Sequence, residues 1–541
     1  MKNLYNKLSN IVIVGGGSAG WMTATHLSNQ HPQLKITLVE SPNHATIGVG
    51  ESTIQGMSNW LELQGLNDLP FLSETDGTLK LSIRFEDFYR KGAGSFHYPF
   101  GKMVVNQKDN LNNNSWFSKQ NLHPNTPVSD FAECYYSQMA MVNTNTISET
   151  FPEFNYKRDK ALHFDATKFG QWLKNNVCIP NGVKHILKEV KQVIQDEDGY
   201  IDHLILDDKE KIKADLFIDC TGFKSLLLGE TLKEPFIDFS PILPNNKAWA
   251  TKIPYKNKKK EICSYTNCTA IDNGWVWKIP LWSRWGAGYV YSDKYVSDED
   301  ALDEFKKYLS SKGHTDHDNY EFKKIAMRVG RHKRVWVKNV LAIGLSAGFI
   351  EPLESNGLYS VHEFLNCFSS QMESRFPYVT SVDRENVNYG CCNLFDSFTK
   401  FVTLHYALSA RDDTEYWRDI QRRDWVNVDP LPDDNGTNYW KSLWKQYWGS
   451  GYWENTSGLN CIGAGMHWQP WGLTRQKIEQ GIGDFNFYKS EMEQVTERLN
   501  TRKQIWNFQA KGLTSTYDFL KDKFYNKKIH FNIHKSKDKN R

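Results

Sequence analysis

An α/β fold is predicted for this chain: a βαβ unit with inserted antiparallel sheets and a mainly helical C-terminal region. Three observations predict it. The buried run Ile11-Val12-Ile13-Val14 passes directly into Gly15-Gly16-Gly17-Ser18-Ala19-Gly20 and then into a helical stretch from Trp21 to Leu27. The segment Gly182 to Gly222 alternates apolar and polar residues through turns at Asp196 to Gly199 and at Asp207-Asp208, the pattern of an antiparallel meander. From Leu358 onward the pattern becomes mostly helical.

Each element follows in order. A strand, a glycine turn and a helix form the context that gives a G-x-G-x-x-G match its meaning. Gly15 permits the tight turn, Gly17 lets the backbone approach a pyrophosphate, and Gly20 lets the helix pack closely on the strand. With Ser18 and Ala19 between them, these residues set the phosphates against the positive end of the helix. A second strand, Lys35 to Val39, ends in Glu40, placed to bind the adenosine ribose hydroxyls and to disfavour a 2′-phosphorylated cofactor. The unit is Rossmann-like. The glycine-rich loop Ile47 to Thr53 returns to the cofactor and adds Gly50 and Ser52 to the binding set.

Residues from about 92 to 152, rich in Asn, Ser, Phe and Tyr, show little periodicity and read as a loop insertion. His163-Phe164-Asp165 starts a helix from Ala166 to Asn176. Leu216 to Gly222 is a buried strand closing over the dinucleotide. A second sheet, within about 245 to 335, carries tryptophans between Trp275 and Trp285. The strand Val340 to Ile343 leads into the loop Gly344 to Gly348, whose Gly344 also joins the cofactor set. The division expected is a core over 1–360 and a substrate-covering region over 361–541.

The composition excludes several classes. Lys+Arg 66 against Asp+Glu 63 leaves a net charge of +3, so nothing calls for nucleic acid or a membrane surface. Nine scattered cysteines form no C-x-x-C pair and no zinc spacing, which suits a reducing cytoplasm. No signal peptide or membrane-length apolar run is visible, so a cytoplasmic protein is expected. Tryptophan is abundant at 19 copies, and most of these rings should be core. Gly463-Ala464-Gly465 lacks a preceding strand and a third glycine, so no second dinucleotide site is read there.

Two further segments carry chemistry. Gly274-Trp275-Val276-Trp277-Lys278-Ile279-Pro280 taken alone is one packed face of a sheet. Glu351-Pro352-Leu353-Glu354-Ser355-Asn356-Gly357 taken alone is an acidic helix entry. Together with Gly15, Gly17 and Gly20, and with Thr78 to Phe85 around Lys80, they resemble the flavin-dependent halogenases of the tryptophan halogenase family. The motifs stand in family order across roughly residues 10 to 360.

The resemblance implies an FAD-binding fold of the flavin monooxygenase type and an enzyme that uses FADH2, oxygen and a halide (chloride, bromide or iodide). Hypohalous acid would then halogenate an electron-rich, indole-type aromatic. It makes Lys80 the residue that aims the electrophile and Glu354 the base for the arene proton. Asn356 and Gly357 hold the halide through the main chain. Ser355, Phe100, Trp275 and Trp277 line the substrate side, the two tryptophans screening the flavin. A separate flavin reductase is implied, with a small aromatic substrate and a halide ion as the other partners, and a homo-oligomer is admitted. Two other readings compete: an aromatic monooxygenase and a non-catalytic flavoprotein. Tryptophan-specific relatives have a His two positions before Phe100, where this chain has Tyr98, with His97 beside it. The amino-acid clamp of those relatives is not recognisable within Tyr439 to Trp471.

Overall fold

Four consecutive β-branched residues, Ile11 to Val14, favour a strand, and a strand apolar on both faces must be covered on both. A computed structural model of the chain, which describes residues 6–43, 51–105, 111, 115–373, 376–423, 457–467 and 485–526, places it accordingly. The strand Asn10–Val14 lies inside a six-stranded sheet ordered Trp336–Val337, Val340–Ala342, Leu216–Asp219, Asn10–Val14, Lys35–Glu40 and Lys184–Leu187. All neighbours pair in parallel except the antiparallel edge strand Trp336–Val337. The helix Ser18–Gln30 is buried along most of its length, packed between this sheet and the helices Ala166–Leu173 and Gly357–Met372.

The second sheet has seven strands, ordered Lys323–Ala326, Lys247–Ile253, Trp285–Tyr291, Gly274–Pro280, Tyr265–Ile271, Ser82–Glu86 and Ser95–Pro99. A smaller sheet of three strands, Glu51–Ser52, Ala161–Phe164 and Thr78–Lys80, abuts it. The chain crosses from the small sheet to the large one at Leu81, between Thr78–Lys80 and Ser82–Glu86. Lys80 therefore stands at the seam of two sheets, where a side chain has neighbours from both.

Two segments differ from the sequence reading. Gly182 to Gly222 is not one meander: Lys184–Leu187 and Leu216–Asp219 belong to the parallel sheet, and only Val190–Gln195, Ile201–Leu206 and Lys211–Ile212 form the antiparallel excursion. Short buried strands of a parallel sheet and alternating strands look alike in so brief a window. Among its described residues, the stretch 92 to 152 holds a strand and three short helices, Ser115–Leu122, Asp130–Tyr135 and Gln138–Thr144, around an aromatic core that includes Trp116, Phe131 and Tyr135. Helices of two turns are too short to display a 3.6-residue repeat. Asp165 caps the helix Ala166–Leu173 by accepting from the Lys168 amide. All nine cysteines are free, and no helix among the described residues is long and apolar enough to cross a membrane.

Candidate active site

The glycine turn is required by close packing. Gly15 has φ +116°, and a Cβ there would lie 2.2 Å from the carbonyl oxygen of Cys220. A Cβ on Gly20 would lie 1.9 Å from the Gly15 oxygen, so helix and turn touch only because both residues are glycine. The helix Ser18–Gln30 starts at Gly17 with no side-chain cap, which leaves its positive end available to an anion. Glu40 closes the second strand with its carboxylate over Gly16 and 2.8 Å from His185 Nε2. At Gly344, with φ +73°, a Cβ would come 3.0 Å from the Ala19 Cβ, so the third loop lies close to the first helical turn. These residues fit a dinucleotide: a bare helix start for the pyrophosphate and an acid at the end of the second strand. Gly50 lies outside the described residues. The Ser52 hydroxyl points at Thr266 and Ser355, on the Lys80 side.

Lysine is ordinarily a surface residue, but Lys80 is 0% exposed. Its Nζ donates to the Thr53 carbonyl oxygen at 2.8 Å and to Ser355 Oγ at 2.9 Å, and lies 5.1 Å from the centre of the Phe100 ring. Burial pulls its pKa down to about 7, against the opposing influence of Cys268 and Glu354.

Glu354 ends the short turn Pro352–Glu354, and Ser355 follows at φ +60°, a left-handed conformation that costs a serine energy and is held by the surrounding bonds. The Glu354 carboxylate is 1% exposed. His405 Nε2, from the helix Ser381–Ala407, stands 2.9 Å from its Oε1 but out of line, so neither carboxylate oxygen receives a hydrogen bond from the described residues. An unsatisfied buried carboxylate is expensive, and such groups concentrate where a reacting partner is to arrive. Asn356 starts the helix Gly357–Met372 with its side chain turned back toward the Glu351 carbonyl oxygen at 3.4 Å, so this helix start is also uncapped. Amides at such a start suit a halide. The turn opens onto a small pocket whose lining includes Leu345, Phe349, Asn356 and Gly357.

Trp275 and Trp277 share one face of the strand Gly274–Pro280. Trp277 lies over Gly288 of the next strand, where a Cβ would come within 2.1 Å of its ring. Trp275 is fully buried and spends its indole N–H on Glu351 Oε1 at 3.1 Å. Glu351 also receives bonds from Asn245 and Tyr406, yet burial pushes it up to about 7.

On the strand Ser95–Pro99 side chains alternate. His97 turns away to Ser82 and Tyr265, and burial lowers it to about 3, so it is neutral. Tyr98 and Phe100 face the Lys80 side with ring centres 6.1 Å apart, and burial with Glu354 nearby raises the Tyr98 hydroxyl. The helix Ser457–Gly465 packs here, Gly458 against Tyr98 and Phe401, and Gly465 against Phe96. Gly463 to Gly465 is thus helical contact, not a nucleotide turn. Most of Tyr439 to Trp471, where the amino-acid clamp was sought, lies outside the described residues.

The structure brings Lys80, Ser355, Glu354, Asn356, Gly357 and Phe100 together around one seam, and Gly15 to Gly20, Glu40 and Gly344 around another. Sequence reasoning missed Glu351, His405, Asn245, Tyr406 and His163. Glu351 alone carried a signal, since it lies in the same motif as Glu354.

Comparison with known proteins agrees. The tryptophan halogenase family model matches residues 10–429. Tryptophan 6-halogenase ThaL of Streptomyces albogriseolus is 30% identical over 95% of this chain and 98% of its own. The solved structure of VirX1 is 38% identical, with a TM-score of 0.88 over 96% of this chain and 99% of its own. Tryptophan 6-halogenase SttH of Streptomyces toxytricini is 30% identical, with a TM-score of 0.79 over 95% and 99%. The uncapped glycine turn, the buried lysine, the Glu354 carboxylate without a donor among the described residues and this agreement over nearly the whole chain lead to one conclusion: the chain belongs to the tryptophan halogenase family and is a flavin-dependent halogenase.

Proposed function

We propose that this halogenase converts an indole-type aromatic to its halide using hypohalous acid, with FAD delivered reduced by a separate reductase. One observation carries the reading: Lys80 is buried with its pKa near 7, in the field of Glu354, whose oxygens lack hydrogen-bond donors among the described residues. Gly15 to Gly20, Glu40 and Gly344 would hold FADH2, which when bound would supply, with oxygen and a halide, the hypohalous acid. The uncapped amides at Asn356 and Gly357 hold the halide.

This chain's residues then govern the transfer. The arene π pair forms the carbon–halogen bond as the oxygen–halogen bond breaks. Lys80, as an ammonium, passes a proton to the departing oxygen, which leaves as water. Glu354 takes the ring proton so that aromaticity returns, and transfer of that proton to Lys80 restores both groups. Tyr98 and Phe100 supply flat walls for the substrate. In this reading residues 1–360 supply the core of the machinery, the helix Gly357–Met372 runs across the division at 360, and the described helices beyond it cover the substrate side.

The test is direct. The protein is incubated with NADH, a flavin reductase, FAD, bromide and a panel of indoles, and products are weighed by mass spectrometry. Brominated products are expected. Hydroxylated products without bromine would overturn the hypohalous route, and no product from any indole would overturn the indole-type substrate.

A further inference from the structure

A line of buried polar groups runs behind Lys80, and its direction is determined by its far end. Thr78 Oγ1 lies 2.6 Å from the Pro280 carbonyl oxygen. A carbonyl can only accept, so the single hydroxyl proton of Thr78 goes there. Thr78 must then accept from His163 Nδ1, 2.9 Å away. Burial, reinforced by the charge of Lys80, holds His163 well below its ordinary pKa, so the ring is neutral and carries one proton, on Nδ1.

The bare Nε2 of His163 accepts the Thr266 hydroxyl at 2.9 Å. Thr266 has then spent its proton and must accept from Ser52 at 2.6 Å. Ser52 accepts from Ser355 at 3.0 Å, and Ser355 accepts from Lys80 Nζ at 2.9 Å. Each hydroxyl has one proton, so no link can reverse without leaving another buried group unpaired. Every member is at most 6% exposed. The strand register builds the line, since His163 pairs with Ser52 on one side and Thr78 on the other, while Thr266 comes from the large sheet.

We propose that His163 is the positioning residue of Lys80. Through this one-way chain it commits Ser355 to accepting from Nζ. Two of the three Nζ bonds are then spent, on Ser355 and on Thr53, and the third is left for a reacting partner at an Nζ that lies 5.1 Å from the Phe100 ring centre. A chain of the opposite sense would let Ser355 donate to Nζ, which would cap the lone pair of the neutral amine and leave the ammonium without a partner there. The purpose assigned to the chain rests on the proposed halogenation; its polarity does not.

Thr266→Val cuts the chain at nearly constant volume, and Thr266→Ser keeps the hydroxyl. Two measurements on the full-length protein test the proposal. In the 15N spectrum of histidine-labelled protein, with His163 assigned from His163→Gln, wild-type His163 is expected to show a protonated Nδ1 and a bare Nε2. In Thr266→Val that Nε2 resonance moves toward the position of an unbonded nitrogen. A wild-type His163 protonated on Nε2 overturns the proposal. With flavin reductase, NADH, FAD, bromide and indole, Thr266→Val is expected to lose roughly 10- to 100-fold in arene bromination, the scale of a misplaced catalytic group, while hypobromous acid caught by a trapping reagent is unchanged. Thr266→Ser recovers most of the loss. Wild-type rates in Thr266→Val, or equal losses in Thr266→Ser, overturn the proposal. A wild-type protein that yields no brominated product counts against the proposed reaction rather than the chain, whose polarity the nitrogen spectrum reads alone.

Discussion

The indole N–H of Trp275 is bonded to Glu351 Oε1 at 3.1 Å, which ties the tryptophan strand to the turn that presents Glu354 three residues later. Trp275 is thus a strut for the Glu354 turn. Trp275→Phe keeps a ring in place but removes one donor from a buried carboxyl. It should cost about 1–3 kcal/mol of stability and slow halogenation through a loosened turn. Urea unfolding and initial rates check this. Unchanged stability would show that Tyr406 and Asn245 suffice for Glu351.

Lys80 is expected to be needed after the electrophile has formed. Lys80→Ala should abolish arene halogenation while flavin binding and trapped hypohalous acid stay near wild type. Retained halogenation would remove Lys80 from the mechanism.

The depressed pKa of Lys80, about 7 against an ordinary 10.5, has two consequences with pH. If the ammonium is the active form, halogenation falls as pH rises through about 7, and a rise there would identify the neutral amine as the active form. For stability, the folded protein binds fewer protons at Lys80 than the unfolded chain between about 7 and 10.5. The Lys80 contribution to stability therefore grows with pH across that window. Below it both states carry the proton and the burial penalty is fully present. Lys80→Met should flatten this part of the stability profile, as followed by denaturant unfolding at several pH values.

Glu354→Gln preserves shape but cannot accept a proton, so product formation should drop roughly 10²-fold. Hypohalous acid should still be trapped. Loss of trapping as well would move Glu354 to the halide or flavin site.

Tyr98, Phe100 and Phe401 form one apolar wall, with the Tyr98 ring centre 6.1 Å from Phe100 and 6.0 Å from Phe401. A zwitterion lying against such a wall of rings loses hydration that the rings do not replace. Indole should therefore outcompete L-tryptophan at equal concentration. Preference for tryptophan with one regioisomer would reveal a clamp elsewhere in the chain.

Local rules made half of the site legible. Gly15 and Gly20 announce themselves because a turn tight enough to bring the Cys220 and Gly15 carbonyls within reach admits no Cβ, and the strands Asn10–Val14, Lys35–Glu40 and Val340–Ala342 follow from their apolar runs. Lys80 and Glu354 were legible only because their flanking residues form family motifs; nothing in a lone lysine tells that it will be 0% exposed. His163, Thr266 and His405 were not legible. Each acquires its role from a partner on another element: Thr266 on a strand of the other sheet, His163 between Ser52 and Thr78, His405 at the end of a long helix. No periodicity in one segment encodes such a meeting. The helices within 92 to 152 were missed for a different reason, being stabilised by their shared aromatic core rather than by their own repeat.

The two bare helix starts, at Gly17 and Asn356, carry a thermodynamic consequence. A side-chain cap is typically worth about 1 kcal/mol, and both helices forgo it. Any anion that settles on those amides only in the folded chain draws the folding equilibrium with it, by mass action. Resistance to heat in this protein is then partly a property of its surroundings, and should climb with the concentration of flavin and, independently, of halide.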